Sequence, residues 1–296
     1  MLTVDEAFEN FRGRLEITRS EEQDTSRRQQ RIRDQVQAGI GIQTDFLTGA
    51  YARETKTKPL KDVDIFVVLS DDEADYLDRP PTAVLGAVQE ILVPHYGEQR
   101  VSIEHHSVRI DFGVRIVDDL TAQVVSFDVV PAFADGDGFQ IPDTRLHDWM
   151  RTDPRIHKAK ATKANKAFDG QWKPVVKMAK KWNQHHDKPV KPMFLLEVMA
   201  LDLLHPPSGG SYPYELKEFF ATAADRLDQG WPDPAGLGPA VSDRLDSDPG
   251  SMRAAQDALR RAEAACTEAL RLERAGNTGQ ALATWQSLFG PLFAKS

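Results

Sequence analysis

The stretch from Phe46 to Leu69 reads FLTGAYARETKTKPLKDVDIFVVL and decides the fold. Within it, Ile65 to Leu69 form an unbroken apolar run rich in β-branched residues, which is typical of a strand buried on both faces. Asp62 and Asp64 open this strand, and their spacing predicts that both carboxylates lie on one face. Two like charges on a buried strand are costly unless a cation compensates them. Because oxygen-only ligands favour Mg²⁺ or Mn²⁺, we predict a divalent metal site here.

A turn that precedes this strand adds a second feature. Gly49 stands before a short helical run at Tyr51–Thr55, and free backbone N–H groups at a helix start can hold a phosphate. A carboxylate pair that binds metal beside a turn that binds phosphate is the equipment for nucleotidyl transfer. The runs GAYARET and DVDIFVVL resemble the Gly-Ser…Asp-x-Asp signature of the polymerase-β-like nucleotidyltransferases, and most of all the bacterial cGAS/DncV-like enzymes (CD-NTases). The chain departs from the family by having Ala50 where Ser is usual.

A third acid lies in a later strand. Asp128 interrupts the otherwise apolar run VVSFDVVP, residues 124–131, and an uncompensated buried carboxylate is expensive. We therefore predict that Asp128 is the third metal ligand, on a strand beside the first two. The letters FDVVPAF also resemble the segment that carries the family's third catalytic aspartate. Asp111 is the alternative, although its alternating strand predicts an exposed position.

Composition limits the class of protein. The 296 residues suffice for one large domain or two closely packed ones. Cys266 is the single cysteine, and neither a signal peptide nor a membrane-spanning run is evident, so we expect a cytoplasmic protein without membrane contact. The net charge of -8 argues against a sequence-independent nucleic-acid binder. No sequence-specific nucleic acid is expected as a partner either.

The positive charge is concentrated in one zone. Residues 151–191 contain twelve Lys and Arg against three Asp, a net +9 in a chain of net -8. Such a zone favours a compact anion such as a triphosphate, and a solvated helix face is the alternative. The helix predicted from Pro174 to about His186 carries Lys177 and Lys180. By the family resemblance Lys180 neutralises the leaving pyrophosphate, with Lys177 as the alternative.

The element pattern predicts an α+β fold. One long helix is expected from Val4 to about Gln37, then a mixed sheet, then helices to the end. The resemblance implies a polymerase-β-like nucleotidyltransferase core with an N-terminal spine helix over residues 1–150. A mainly helical lobe then covers residues 151–296, and the active site lies between the lobes. Strands are predicted over residues 100–106, 108–116 and 123–130, with a turn at Asp118-Asp119.

The resemblance implies synthesis of a cyclic di- or oligonucleotide second messenger from NTPs, ATP among them, in anti-phage (CBASS) defence. Regulatory or effector proteins of a defence operon are the expected protein partners. Met193 stands where the family commonly has Ser, and with Ala50 it predicts weaker NTP binding. Two alternatives stay open: a template-free nucleotidyltransferase that modifies a protein or an RNA end, and a degenerate nucleotide sensor. The predicted site comprises catalytic and metal-binding Asp62, Asp64 and Asp128, and nucleotide-binding Gly49, Ala50, Tyr51, Lys177 and Lys180.

Overall fold

The computed structural model describes residues 2–115, 123–206 and 208–293. Over these ranges the α-helices are α1 (Val4–Leu15), α2 (Arg19–Gln37), α3 (Gly49–Ala52), α4 (Pro81–Tyr96), α5 (Pro154–Ala167), α6 (Trp172–His185), α7 (Met193–Leu203), α8 (Tyr212–Arg226), α9 (Asp243–Asp246), α10 (Pro249–Arg274) and α11 (Thr278–Phe289). The strands are β1 (Ile42–Leu47), β2 (Val63–Leu69), β3 (Val101–Ile103), β4 (Val108–Asp111), β5 (Ser126–Asp135), β6 (Gly138–Asp143) and β7 (Asp148–Thr152). Short 3₁₀ helices cover Asp71–Asp78, Glu98–Arg100 and Leu227–Gln229.

The chain divides into two compact units. The sheet unit is Ile17–Lys158, and the helical unit combines Met1–Glu16 with Ala159–Ser296. From the sequence we expect a single boundary, between residues 150 and 151. The structure differs because the β6–β7 hairpin runs on to Thr152, and because α1 contributes its apolar face to the core of the helical unit.

The sheet unit carries a mixed, seven-stranded sheet in which five strands follow the order β1-β2-β5-β4-β3. Strands β2 and β5 are parallel, and the other pairs are antiparallel. The far end of β5 pairs with β6, which pairs with β7. This arrangement confirms the predicted α+β class.

Side chains of β2 alternate between two apolar clusters. Ile65 and Val67 enter the larger cluster, which also holds buried residues of α2 and α4. Phe66 and Val68 enter a smaller cluster on the opposite face. Every residue from Ile65 to Leu69 is buried, so the prediction of a strand buried on both faces is confirmed.

The predicted single N-terminal helix is wrong in one respect, because it is broken between α1 and α2. Thr18 caps α2: its hydroxyl accepts from the Glu21 N–H (3.3 Å), and the Glu21 carboxylate accepts from the Thr18 N–H (2.7 Å). This capping box starts a new helix where the periodicity alone suggested continuity.

The helical unit surrounds one large apolar core. Its members include Phe8 and Phe11 of α1 and the fully buried Trp172, Trp182 and Trp285. The mainly helical character predicted for the second half of the chain is therefore observed.

Two further expectations concern loops and membranes. Strands β3 and β4 are shorter than predicted, and the turn predicted at Asp118-Asp119 lies outside the described residues. Across the part of the chain that the structure describes, every helix is too short or too polar to cross a bilayer.

Candidate active site

Strand register places three side chains in one cross-strand row. Asp64 and Asp128 are predicted site residues, and Arg109 is an addition from the structure. Asp64 of β2 lies opposite Asp128 of β5 in the parallel pair. Arg109 of β4 lies opposite Asp128 in the antiparallel pair. Side chains in one cross-strand row share a face of the sheet. Asp64 and Asp128 are thus adjacent, as the apolar flanks of both residues suggested.

Asp62 joins this row from outside the strand. It precedes β2 and has a φ of 50°, so it is not the regular strand residue that its spacing predicted. Ser126 holds it in place, since its Oγ accepts from the Asp62 N–H (2.9 Å) and donates to Asp62 Oδ1 (3.1 Å). The Asp62 carboxylate nevertheless reaches the others, because Arg109 Nη2 lies 2.8 Å from its Oδ1.

Arg109 links two of the aspartates. Its Nε and Nη2 donate to the two carboxylate oxygens of Asp128 at 3.0 and 3.1 Å, and the same Nη2 pairs with Asp62. Sequence reasoning missed this residue. A signal existed in the alternation of β4, where buried Val108 and Ile110 flank Arg109 and so place it on the opposite face.

Gly49 is required where the backbone approaches Asp64. Its φ is +61°, and a Cβ on it would lie only 1.7 Å from Asp64 Oδ2. Only glycine tolerates both the left-handed backbone and this close approach. Gly49 begins α3, a single helical turn that also contains Ala50. The predicted turn therefore lies directly against a predicted metal ligand, and phosphate binding by residues 49–51 stays a prediction.

Burial is the largest cause of the pKa shifts of Asp64 and Asp128. Burial, followed by the charge of Asp128, raises the pKa of Asp64 to about 7. Burial also raises the pKa of Asp128, although its hydrogen bonds with Arg109 oppose the shift. Those same bonds raise the pKa of the Arg109 guanidinium. Lys56, whose ammonium donates to the Asp62 carbonyl (3.1 Å), has a pKa lowered by burial and partly restored by the three aspartates.

The donor set suits a divalent ion in its chemistry. Three carboxylates offer hard oxygen ligands, which Mg²⁺ and Mn²⁺ prefer, and the pKa of Asp64 is raised first by its burial and then by the neighbouring negative charge of Asp128. Among the described residues, however, no three acidic, histidine or cysteine side chains are arranged to hold an ion as they stand. The Arg109 guanidinium bridges Asp62 and Asp128.

Two other candidates lie away from the row. Asp111, the alternative third ligand, is exposed at the end of β4 and accepts a hydrogen bond from the Gly113 N–H (2.7 Å). Tyr51 packs against the larger apolar cluster of the sheet unit, with its hydroxyl hydrogen-bonded to the Thr25 side chain. This environment is typical of a structural tyrosine rather than one that stacks on a base.

The predicted lysines belong to α6 in the helical unit, and both are buried there. Lys177 Nζ lies 2.7 Å from Glu16 Oε2, and Lys180 pairs with the buried Glu197. Neither lysine is part of the solvated helix face considered as the alternative. Each already has a carboxylate partner, so its predicted contact with a triphosphate stays a prediction.

Met193, the second departure from the family pattern, starts α7. Its sulfur lies 3.5 Å from Nδ2 of the buried Asn183, which also donates to the Val190 carbonyl. The partly buried Met193 side chain therefore packs against the core of the helical unit.

Comparison with known proteins identifies relatives of this chain. The sequence model of the SMODS family, the "Second Messenger Oligonucleotide or Dinucleotide Synthetase domain", matches residues 1–165. A probable cyclic nucleotide synthase of Bacillus cereus (strain VD146) is 23% identical over 282 residues, covering 83% of this chain and 80% of the relative. The cyclic AMP-AMP-AMP synthase of Acinetobacter sp. (strain ATCC 27244 / 9458) is 26% identical over 216 residues, which span 68% of this chain and 58% of that protein.

Solved structures share the fold. CdnC of E. coli MS115-1, in complex with HORMA-deltaN, has a TM-score of 0.74 at 17% identity, with 98% of each chain covered. The same CdnC solved with ATP has a TM-score of 0.73 over the same shares. The family match spans more than half of the chain, so the resemblance inferred from the sequence is confirmed. The protein is therefore a member of the second messenger oligonucleotide or dinucleotide synthetase family of bacterial cGAS/DncV-like nucleotidyltransferases.

Proposed function

We propose that this protein joins NTPs, ATP among them, into a cyclic di- or oligonucleotide second messenger of the kind used in CBASS anti-phage defence. Family membership supports the reaction class. The single observation that carries the proposal is the register that sets Asp64 beside Asp128, with Asp62 tied to Asp128 through Arg109. Three carboxylates grouped at one end of two parallel strands are the ligands that nucleotidyl transfer needs.

Asp62, Asp64 and Asp128 are the residues that would hold Mg²⁺, or Mn²⁺. Bound there, such ions would lower the pKa of the attacking ribose hydroxyl and would neutralise charge on the triphosphate. Asp128 is proposed to accept the proton of that hydroxyl. Ser126 fixes the orientation of Asp62 through its two hydrogen bonds. A second transfer, which joins the ends of the first product, closes the ring.

The backbone of residues 49–51 is proposed to contact the triphosphate. Because Gly49 has no side chain, its backbone can approach the Asp64 carboxylate closely. Ala50 offers no hydroxyl, so the N–H groups alone make this contact. Lys180 and Lys177 are proposed to offset the charge of pyrophosphate. Their pairing with Glu197 and Glu16 reduces the positive charge that they offer to a ligand.

A regulatory protein is the proposed partner. The E. coli CdnC structure that shares this fold was solved with HORMA-deltaN, and we expect a defence-operon protein to control this enzyme as well. Since the substrates are NTPs, we place the reaction in the cytoplasm.

The test is incubation of the purified protein with four NTPs and Mg²⁺ or Mn²⁺, followed by phosphatase treatment and mass spectrometry. The expected result is a phosphatase-resistant cyclic nucleotide that is absent from the Asp62→Asn/Asp64→Asn variant. Label transferred to RNA or protein would instead support a modifying nucleotidyltransferase. Binding of NTP without pyrophosphate release, with or without a partner, would support a degenerate sensor.

A further inference from the structure

We propose that Arg109 is a positioning residue that closes the carboxylate site in the metal-free protein and is displaced toward Glu104 when a divalent ion binds. This inference rests on the proposed function, because it concerns the same three aspartates. In this proposal Arg109 sets the concentration of divalent ion that is needed to occupy the carboxylate site.

The guanidinium of Arg109 contacts three carboxylate oxygens. Arg109 Nε and Nη2 lie 3.0 and 3.1 Å from the two oxygens of Asp128, and Nη2 lies 2.8 Å from Asp62 Oδ1. The last oxygen also accepts from Ser126. An ion bound by Asp62 and Asp128 needs lone pairs of the same oxygens and adds positive charge beside the guanidinium, which repels it. Arg109 and the ion therefore compete for one site.

The geometry provides Arg109 with a route away from the aspartates. Its side chain is 35% exposed whereas that of Asp128 is 10% exposed, so Arg109 is the more solvent-accessible partner of this pair. Long arginine side chains change rotamer readily when they are partly exposed.

Glu104 is the carboxylate with which the displaced Arg109 would pair. It follows β3, its side chain is 44% exposed, and its Oε1 lies 3.9 Å from Arg109 Nη1. This distance is at the outer limit of an ion pair, so in the metal-free protein Glu104 is a weak partner compared with Asp128. Once an ion holds the aspartates, a small rotation brings Arg109 into direct contact with Glu104, and its charge stays compensated.

The consequence is a site that is folded and partly charge-compensated without metal. Asp62 and Asp128 are compensated by Arg109 until an ion replaces it, which lowers the apparent affinity for the ion below that of the carboxylates alone. Removal of the guanidinium should therefore tighten metal binding, whereas a purely structural Arg109 would weaken it when lost.

Binding of Mn²⁺, followed by electron paramagnetic resonance without nucleotide, tests the proposal. Arg109→Gln should bind Mn²⁺ at least about tenfold more tightly than the wild type. Arg100→Gln is the matched control, because Arg100 lies in the same unit and contacts the Phe112 carbonyl (3.5 Å) rather than the aspartates. The control should bind like the wild type. Equal or weaker binding by Arg109→Gln, with wild-type binding intact, overturns the competition and leaves the proposed function standing.

Further variants test the role of Glu104 separately from the competition between Arg109 and the ion. Glu104→Gln leaves the aspartates untouched and should weaken Mn²⁺ binding about two- to fivefold, because the displaced arginine loses its partner; unchanged affinity overturns the role of Glu104. If Arg109→Gln fails to fold, Arg109→Lys, which keeps the charge but loses the bidentate contact, should still bind more tightly than the wild type. Absence of Mn²⁺ binding in every variant contradicts both the proposed metal role and this inference.

Discussion

Substitution of Gly49 by alanine tests the link between backbone and carboxylate most sharply. A Cβ at this position lies 1.7 Å from Asp64 Oδ2, and real Cβ contacts essentially never fall below 3.0 Å. The oxygen must therefore retreat by more than about 1 Å, which is feasible because it is the far end of a side chain. We expect Gly49→Ala to fold with Asp64 displaced.

Two energetic terms set the magnitude. The left-handed φ of +61° costs an alanine about 1–2 kcal/mol, and an off-rotamer Asp64 costs about 0.5–1.5 kcal/mol. The free energy of unfolding should thus fall by about 1.5–3.5 kcal/mol. The effect on catalysis is larger, because misplacing a reacting group by about 1 Å costs on the order of 100-fold in kcat/KM.

The assay pairs denaturant unfolding with pyrophosphate release. Gly136→Ala is the matched control, since Gly136 has a φ of +57° and nothing within 4 Å of its added Cβ; it should lose about 1–2 kcal/mol and no activity. In an Asp64→Ala background, Gly49→Ala should cost only as much as this control, since the clashing oxygen is gone. If Gly49→Ala matches Gly136→Ala in both stability and activity, the inferred contact with Asp64 has no consequence and the reasoning is refuted.

Other substitutions, and the pH dependence of stability, test the aspartates, residue 50 and the Lys180–Glu197 pair. Asp62→Asn with Asp64→Asn should abolish pyrophosphate release yet leave circular dichroism and metal-free stability intact, since paired like charges are removed; wild-type turnover would contradict the metal assignment. Because the pKa of Asp64 rises from 3.8 to about 7 on folding, the metal-free protein should lose stability as the pH rises from about 4 to about 7, as urea unfolding in EDTA measures. Asp64→Asn should reduce that slope and leave the part that comes from the raised pKa of Asp128. Ala50→Ser should lower KM for NTP about two- to tenfold in steady-state kinetics with little change in kcat, whereas an unaltered KM would deny residue 50 a triphosphate contact. Lys180→Met should destabilise the protein by about 3–5 kcal/mol because Glu197 stays buried, and adding Glu197→Leu should restore most of the loss in urea unfolding; no recovery would show that their pairing is unimportant.

Local pattern predicted the centre of the sheet well. The apolar run after Asp64 indicated a doubly buried strand, and an acid inside an apolar run singled out Asp128. Both signals work because burial constrains residue type at each position along a strand. The register that makes Asp64 and Asp128 neighbours is a pairing of distant segments, and its expectation rested on the buried charge of Asp128 together with the family resemblance.

Contacts between residues that are far apart in the sequence could not be predicted in the same way. The pairing of Arg109 with Asp128 depends on which strands are adjacent, and the partners of Lys177 and Lys180 come from distant helices. The break before α2 was local but overlooked, since the Thr18–Glu21 capping box stands inside a run that lacks Pro and Gly.

The central claim is that Asp62, Asp64 and Asp128 together bind divalent ions against a nucleotide. An anomalous difference map from crystals grown with Mn²⁺ and a non-hydrolysable NTP tests it most directly. The account predicts manganese peaks at about 2.1 Å from oxygens of all three aspartates, with the triphosphate as a shared ligand. A map in which nucleotide is bound but manganese is absent from these carboxylates, with Arg109 still holding Asp128, would contradict it.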